Sequence, residues 1–249
     1  MKIVNCCNGI MSSKKSKKRI PTKILKQNIY ELPIGRYVFE ADFYNYINQI
    51  KSYKDLDIYF GIQCLDCVNK TNIFEIVNSQ PNYCRIIFNE KNHLSGTKKD
   101  GGDLTTFGDY IVKIIDQNGI HINLTNISEN AFLSVLSKVE TPCMYETDFL
   151  PDILGNTPLK PYQEKALIET GGLVVVNLDS AKFMLSKIAD NVIKFGRKYG
   201  FDNIALSGSS FCFNSNANRF INILNMTGCN KFDLEKIAYR NAEKFFNIF

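Results

Sequence analysis

The chain has little histidine, no long apolar run and no leader-like beginning. Only two histidines, His93 and His121, occur in its 249 residues, so an imidazole-built metal centre or a cysteine–histidine pair has just these two to draw on. No apolar stretch approaches the roughly 20 residues needed to cross a bilayer, which argues against a membrane partner. Residues 1 to 19 lack the basic, apolar and small-residue order of a signal peptide, and a cytoplasmic location is expected. The one strongly basic stretch holds Lys14, Lys15, Lys17, Lys18 and Arg19, with Lys23 and Lys26 beyond, and has no interleaved aromatic residues. It reads as a solvated loop over about 12–27 rather than a nucleic-acid surface. An interaction module acting through this segment on an acidic partner is a third reading, to be judged by its response to salt.

What is present points to one large core. At 249 residues and 45% hydrophobic content, residues 1–249 are expected to form a single domain. Eight cysteines in a chain expected to stay in the cytosol read as small core residues and not as a disulfide framework.

The stretch from Gly101 to Pro142 organises the rest. Thr105, Tyr110, Ile111, Ile114 and Ile115 fall at helical spacing, and Gly119 is the expected stop. Ile120, Ile122 and Leu124 then alternate with polar residues as in a half-buried strand, and Ser128 is placed to cap a helix from Glu129 to about Val139. Similar units surround it. Strands are expected at Met1–Cys7, Tyr37–Ala41, Leu56–Gln63, Cys84–Phe88, Pro142–Tyr145, Leu173–Leu178 and Gly200–Gly208. Helices are expected at Phe43–Tyr53, Ile73–Ser79, Leu159–Glu169, Ile188–Tyr199 and Asp233–Phe246. Eight strand–helix units in order predict an α/β fold, a single (β/α)8 TIM barrel, with its site at the carboxyl ends of the strands.

Several of these segments also carry a resemblance. Leu104-Thr105-Thr106-Phe107-Gly108, the helix ending Asn118-Gly119, the polar turn after the next strand, Gly171-Gly172 before a Val-rich strand, and Asn241 in the last helix are similar to the membrane dipeptidase (renal dipeptidase) family of zinc peptidases. The resemblance covers nearly the whole chain and is weakest from about Met11 to Tyr53. It implies a single (β/α)8 TIM barrel of the metal-dependent hydrolase type and a zinc-binding ancestor whose ligands are replaced here. Cys7 and Gly9 stand where the family has a histidine and an aspartate, Gln63 where a glutamate bridges two metals, and Asn126 and Thr147 where it has metal-binding histidines. Phe88 stands at a substrate-binding histidine, Ser209 at the catalytic aspartate, and Asn89, Asn92 and Leu94 are kept. No metal cofactor is therefore expected. Without one, bound water keeps a pKa near ~15.7 instead of about 7, and the hydroxide nucleophile of a metallopeptidase is missing.

The chain is accordingly expected to be a catalytically inactive homologue that binds a peptide, an amino-acid derivative or a protein partner. The alternative is a hydrolase with a rearranged metal or cysteine site drawing on Cys6, Cys7, Cys64 and Cys67, with His93 as base. His121 falls at the start of a strand, the wrong end for such a site. Glu146 and Asp148 read as solvated rim carboxylates. The family resemblance also implies a homodimer.

Overall fold

The structure is a computed structural model that describes residues 2–9, 28–32, 59–88, 90–147, 149–150, 158–179, 184–208 and 213–248, with the backbone alone for 7–9, 28 and 30–32. The chain falls into two compact units, Gly9–Thr141 and Met1–Asn8 with Pro142–Phe249. Each unit carries a four-stranded parallel sheet with helices between its strands. Among the described residues, no helix is long and apolar enough to cross a membrane.

The Gly9–Thr141 unit orders its strands β2 (Asn28–Leu32), β3 (Tyr59–Ile62), β4 (Tyr83–Arg85) and β5 (His121–Asn123). The second strand lies upstream of the expected Tyr37–Ala41. That segment and Phe43–Tyr53 are outside the described residues, as is the basic segment Lys14 to Lys26. Tyr83 faces Gly61 across the ladder, and a Cβ on Gly61 would come 2.2 Å from the Tyr83 ring, so only glycine lets that ring lie flat over β3.

Helix α1 (Ile73–Asn78) follows β3; α2 (Thr106–Gln117) and α3 (Glu129–Leu136) flank β5. The cap foreseen at Ser128 is made, and Thr105 caps α2 as well. The Thr105 hydroxyl accepts from the Gly108 N–H at 2.9 Å, and the Ser128 hydroxyl from the Ala131 N–H at 3.2 Å.

The kept loop motif has a structural cause. Asn92 donates to the Ile86 carbonyl at 2.9 Å and to Asp66 at 2.6 Å, and accepts from the Leu94 and Ser95 N–H groups. The Leu94 carbonyl takes the Thr105 N–H at 2.9 Å, and a Cβ on Gly108 would lie 2.1 Å from that same oxygen. Asn92, Leu94, Thr105 and Gly108 are thus one interlocked turn.

The other unit orders β6 (Met144–Thr147), β7 (Leu173–Asn177), β8 (Ile204–Ser207) and β1 (Asn5–Gly9). The first four residues of β7, Leu173 to Val176, are all buried, as expected of a parallel strand covered on both faces. Helices α4 (Pro161–Glu169), α5 (Leu185–Tyr199) and α6 (Phe213–Met226) are followed by α7 (Lys231–Glu235), one π turn (Lys236–Arg240) and α8 (Asn241–Phe246). Helix α6 was not foreseen. The last helical run starts at Lys231, where the Asn230 side chain accepts from the Asp233 N–H, rather than at Asp233. Asn241 ties it to β8 by donating to the Phe201 and Ile204 carbonyls at 2.6 and 2.8 Å.

Candidate functional site

In the Gly9–Thr141 unit, parallel register puts Gly61 beside Tyr83, Tyr83 beside His121 and Arg85 beside Asn123. Alternation along the strands then gathers Gly61, Tyr83, Arg85, His121 and Asn123 on one face. Arg85 and Asn123 are the last residues of β4 and β5, and both are buried. Gln63 follows β3 and is half-buried.

Asn126 sits in the left-handed region at φ 68° and donates its amide to the Phe88 carbonyl at 2.6 Å. The Phe88 ring is exposed and lies 5.8 Å from the Arg85 guanidinium. His93 hydrogen-bonds the Val68 carbonyl through Nε2 at 2.7 Å and stacks on Phe107 at 5.4 Å. A carbonyl only accepts, so Nε2 carries the proton, and this contact uses the imidazole as a loop fastener. His121 begins β5, at the end away from the strand termini, as its sequence position implied.

In the other unit, Glu146 lies beside Val175 and Asn177 beside Ser207, while Asn5 pairs with Leu206. Glu146, Asn177, Ser207 and Cys6 therefore share one face, and Thr147, Val176, Leu206 and Asn5 the other. Glu146 Oε1 accepts from the Ser207 hydroxyl at 2.6 Å and from Asn177 Nδ2 at 3.1 Å. Thr147 is buried on the opposite face, and its hydroxyl oxygen accepts from the Phe149 N–H at 3.0 Å. Asn5 bridges to the end of β8 in both directions, donating to the Gly208 carbonyl at 2.7 Å and accepting from the Gly208 N–H at 3.1 Å.

Burial pushes the Cys6 thiol well above its ordinary range, and the neighbouring Glu146 charge adds to this. Cys67 is pushed up to about 11, chiefly by burial. Both are thiols and not thiolates at neutral pH, and neither is poised as a nucleophile. The described cysteines, Cys6, Cys64, Cys67, Cys84, Cys143 and Cys229, form no disulfide.

Of the sequence-nominated positions, Asn89, Asp148 and Ser209 lie outside the described residues, and Cys7 and Gly9 are described by backbone alone, within β1. Gln63, Asn126 and Thr147 offer neutral amide and hydroxyl groups. The Asn126 Nδ2 lone pair is delocalised into the amide and its N–H is given to the Phe88 carbonyl, and Thr147 faces away from Glu146. This donor set does not fit a zinc ion. Sequence reasoning passed over Arg85, Asn177 and Ser207 and set Glu146 aside as a rim residue. A signal was available in their shared position, each at or next to the last residue of a short strand.

No protein-family model and no curated protein sequence matches the chain. Solved structures do. An amidohydrolase from Pseudomonas aeruginosa superposes with a TM-score of 0.71 at 12% identity, over 98% of this chain and 96% of its own. The dipeptidase AC, a metallo peptidase, gives 0.68 at 11% identity over 81% of this chain and 69% of its own. A metallo peptidase from Rhodobacter sphaeroides, liganded with a phosphinate mimic of the dipeptide L-Ala-D-Ala, gives 0.68 at 12% identity over 81% of this chain and 66% of its own. The chain shares its fold with these structures. At such identities the likeness establishes the fold alone, a curled parallel sheet with its helices, and chemistry has to be argued from the side chains at the strand ends.

Proposed function

We propose that the chain is a catalytically inactive binding protein on a single (β/α)8 barrel, divergent from the zinc membrane dipeptidases. It acts in the cytoplasm and takes a peptide, an amino-acid derivative or a protein partner. The observation that carries this reading is Asn126. Where the resembled family has a metal-binding histidine, this residue holds the Phe88 carbonyl at 2.6 Å, so the position fastens a loop instead of offering a nitrogen lone pair. The neutral Cys6 thiol and the Thr147 hydroxyl engaged with its own loop support the same conclusion.

The test is a dipeptide hydrolysis assay with and without added zinc, run beside metal analysis of the purified chain and a thermal melt with the dipeptide. The expected result is no zinc-dependent turnover and a raised Tm with the peptide. Zinc-dependent turnover with near-stoichiometric metal would sink the reading and put a rearranged metal site in its place. Activity lost in Cys7→Ala would instead favour a cysteine site.

A further inference from the structure

The last helical run is not a plain α-helix. An α-helix aims each interior carbonyl along its axis at the N–H four residues on, whereas a π turn reaches five residues. In the Lys236–Arg240 turn the Asn241 N–H accordingly bonds the Lys236 carbonyl. Such a turn is rare, holds one residue more than an α turn and interrupts the ladder where it occurs. The start of the chain is fastened at that interruption. The Ala238 carbonyl, in the middle of the π turn, accepts from the Val4 N–H at 2.8 Å. Val4 and Ala238 are each 1% exposed, so water cannot take the place of either partner. Lys2 adds an ion pair with Glu243 and lies 5.9 Å over the Tyr239 ring.

Residues 2–4 are thus strapped to the π turn and the helix that follows it, immediately before β1 begins at Asn5. The place of the strap matters because β1 is short and joins β8 through the pairing of Asn5 with Leu206. A slip of one residue would exchange the faces of β1, taking Cys6 from the side of Glu146 and the Asn5 amide from Gly208. A continuous α-helix would direct the Ala238 carbonyl at the Ala242 N–H and leave the buried Val4 N–H without its acceptor. We infer that the π turn is a latch for the amino-terminal segment: it turns the Ala238 carbonyl out to Val4 and so fixes the register of the strand that carries Asn5 and Cys6.

Amide hydrogen exchange on the full chain, read residue by residue by NMR, tests the latch. In the unaltered protein the Val4 amide should exchange at least about a hundredfold more slowly than in an unstructured peptide, although it lies ahead of the strand. Exchange at the peptide rate would overturn the inference without any variant. Val4→Pro removes this N–H and keeps an apolar side chain, at a position just ahead of a strand where proline is tolerated. It is expected to speed exchange in β1 by about tenfold or more while β7, in the same unit, is unchanged, as release of one segment requires. No change in β1, or an equal acceleration of β1 and β7, would reject the latch. Lys2→Ala, which removes only the outer part of the strap, should speed β1 about two- to threefold with β7 again unchanged, and equal rates in the two strands would count against the latch even if Val4→Pro does not fold.

Discussion

Asn5 and Asn123 make an instructive pair. Each is 1% exposed, each lies on a strand, and each belongs to a different unit. Asn5 uses both ends of its amide on one residue, Gly208, and so ties β1 to the end of β8. Asn123 uses its oxygen on Thr125 and leaves its nitrogen without an acceptor. Two asparagines of equal burial thus do different work. The first is a structural staple whose hydrogen bonds are complete. The second has only the oxygen end of its amide engaged within the chain.

That contrast is open to direct attack. The same substitution at both sites should separate them most. Asn5→Asp sets a carboxylate oxygen against the Gly208 carbonyl in a buried position and is expected to lower stability by about 3 kcal/mol or more in urea denaturation. If Asn5→Asp is tolerated, the staple reading of that residue fails.

Within the same unit, Ser207→Ala removes the 2.6 Å hydrogen bond to Glu146 and is expected to cost about 2 kcal/mol, because a hydrogen bond to a charged acceptor is lost. A change below a few tenths of a kcal/mol would mean that Glu146 is held by its other contacts instead.

The third test is one of pH. Cys67 is raised from an ordinary value of 9.0 to about 11 in the folded chain. Between those values the unfolded chain has released this proton and the folded chain has kept it, so folding stability falls as pH rises through that window and is unaffected below it. The wild type should lose about 1 to 2 kcal/mol more than Cys67→Ser between pH 8.5 and 11, a figure reduced for partial exposure of the thiol. Parallel curves would show that Cys67 is not buried.

The comparison closes on Asn123→Asp without ligand. It should cost less than Asn5→Asp, since no carbonyl is set against the altered atom. A loss as large as that of Asn5→Asp would erase the distinction between the two asparagines.

Much of the local architecture was readable in advance. Ser128 caps α3 as its position implied, Gly119 ends the turn after α2 at φ 67°, and the Val-rich β7 is buried as its composition required. Helix α6 escaped because its apolar stripe, Phe213, Ala217, Phe220 and Leu224, is interrupted by five asparagines, which are poor helix formers and mask the periodicity. The loop motif was recognised as kept, but its reason appeared only when the Leu94 carbonyl was seen against Gly108 and Thr105.

The candidate site was harder to read, and for a definite reason. In a strand, adjacent residues face opposite ways, so choosing between Glu146 and Thr147 needs a register that no local pattern supplies. The family alignment favoured Thr147; the ladder puts Glu146 with Ser207 and Asn177.

Helix caps, turn glycines and the strand–helix order were settled by residues within four or five positions of one another, so the linear order of side chains was enough to specify them. The partners at the strand ends were not. Ser207 meets Glu146 across 61 residues and Asn5 meets Gly208 across 203, and which side chains end up satisfied depends on distances that exist only once the sheets are assembled. Asn123 shows this most clearly: its composition and spacing match any polar strand end, and only the folded sheet leaves its nitrogen buried, beside a positive charge, without an acceptor.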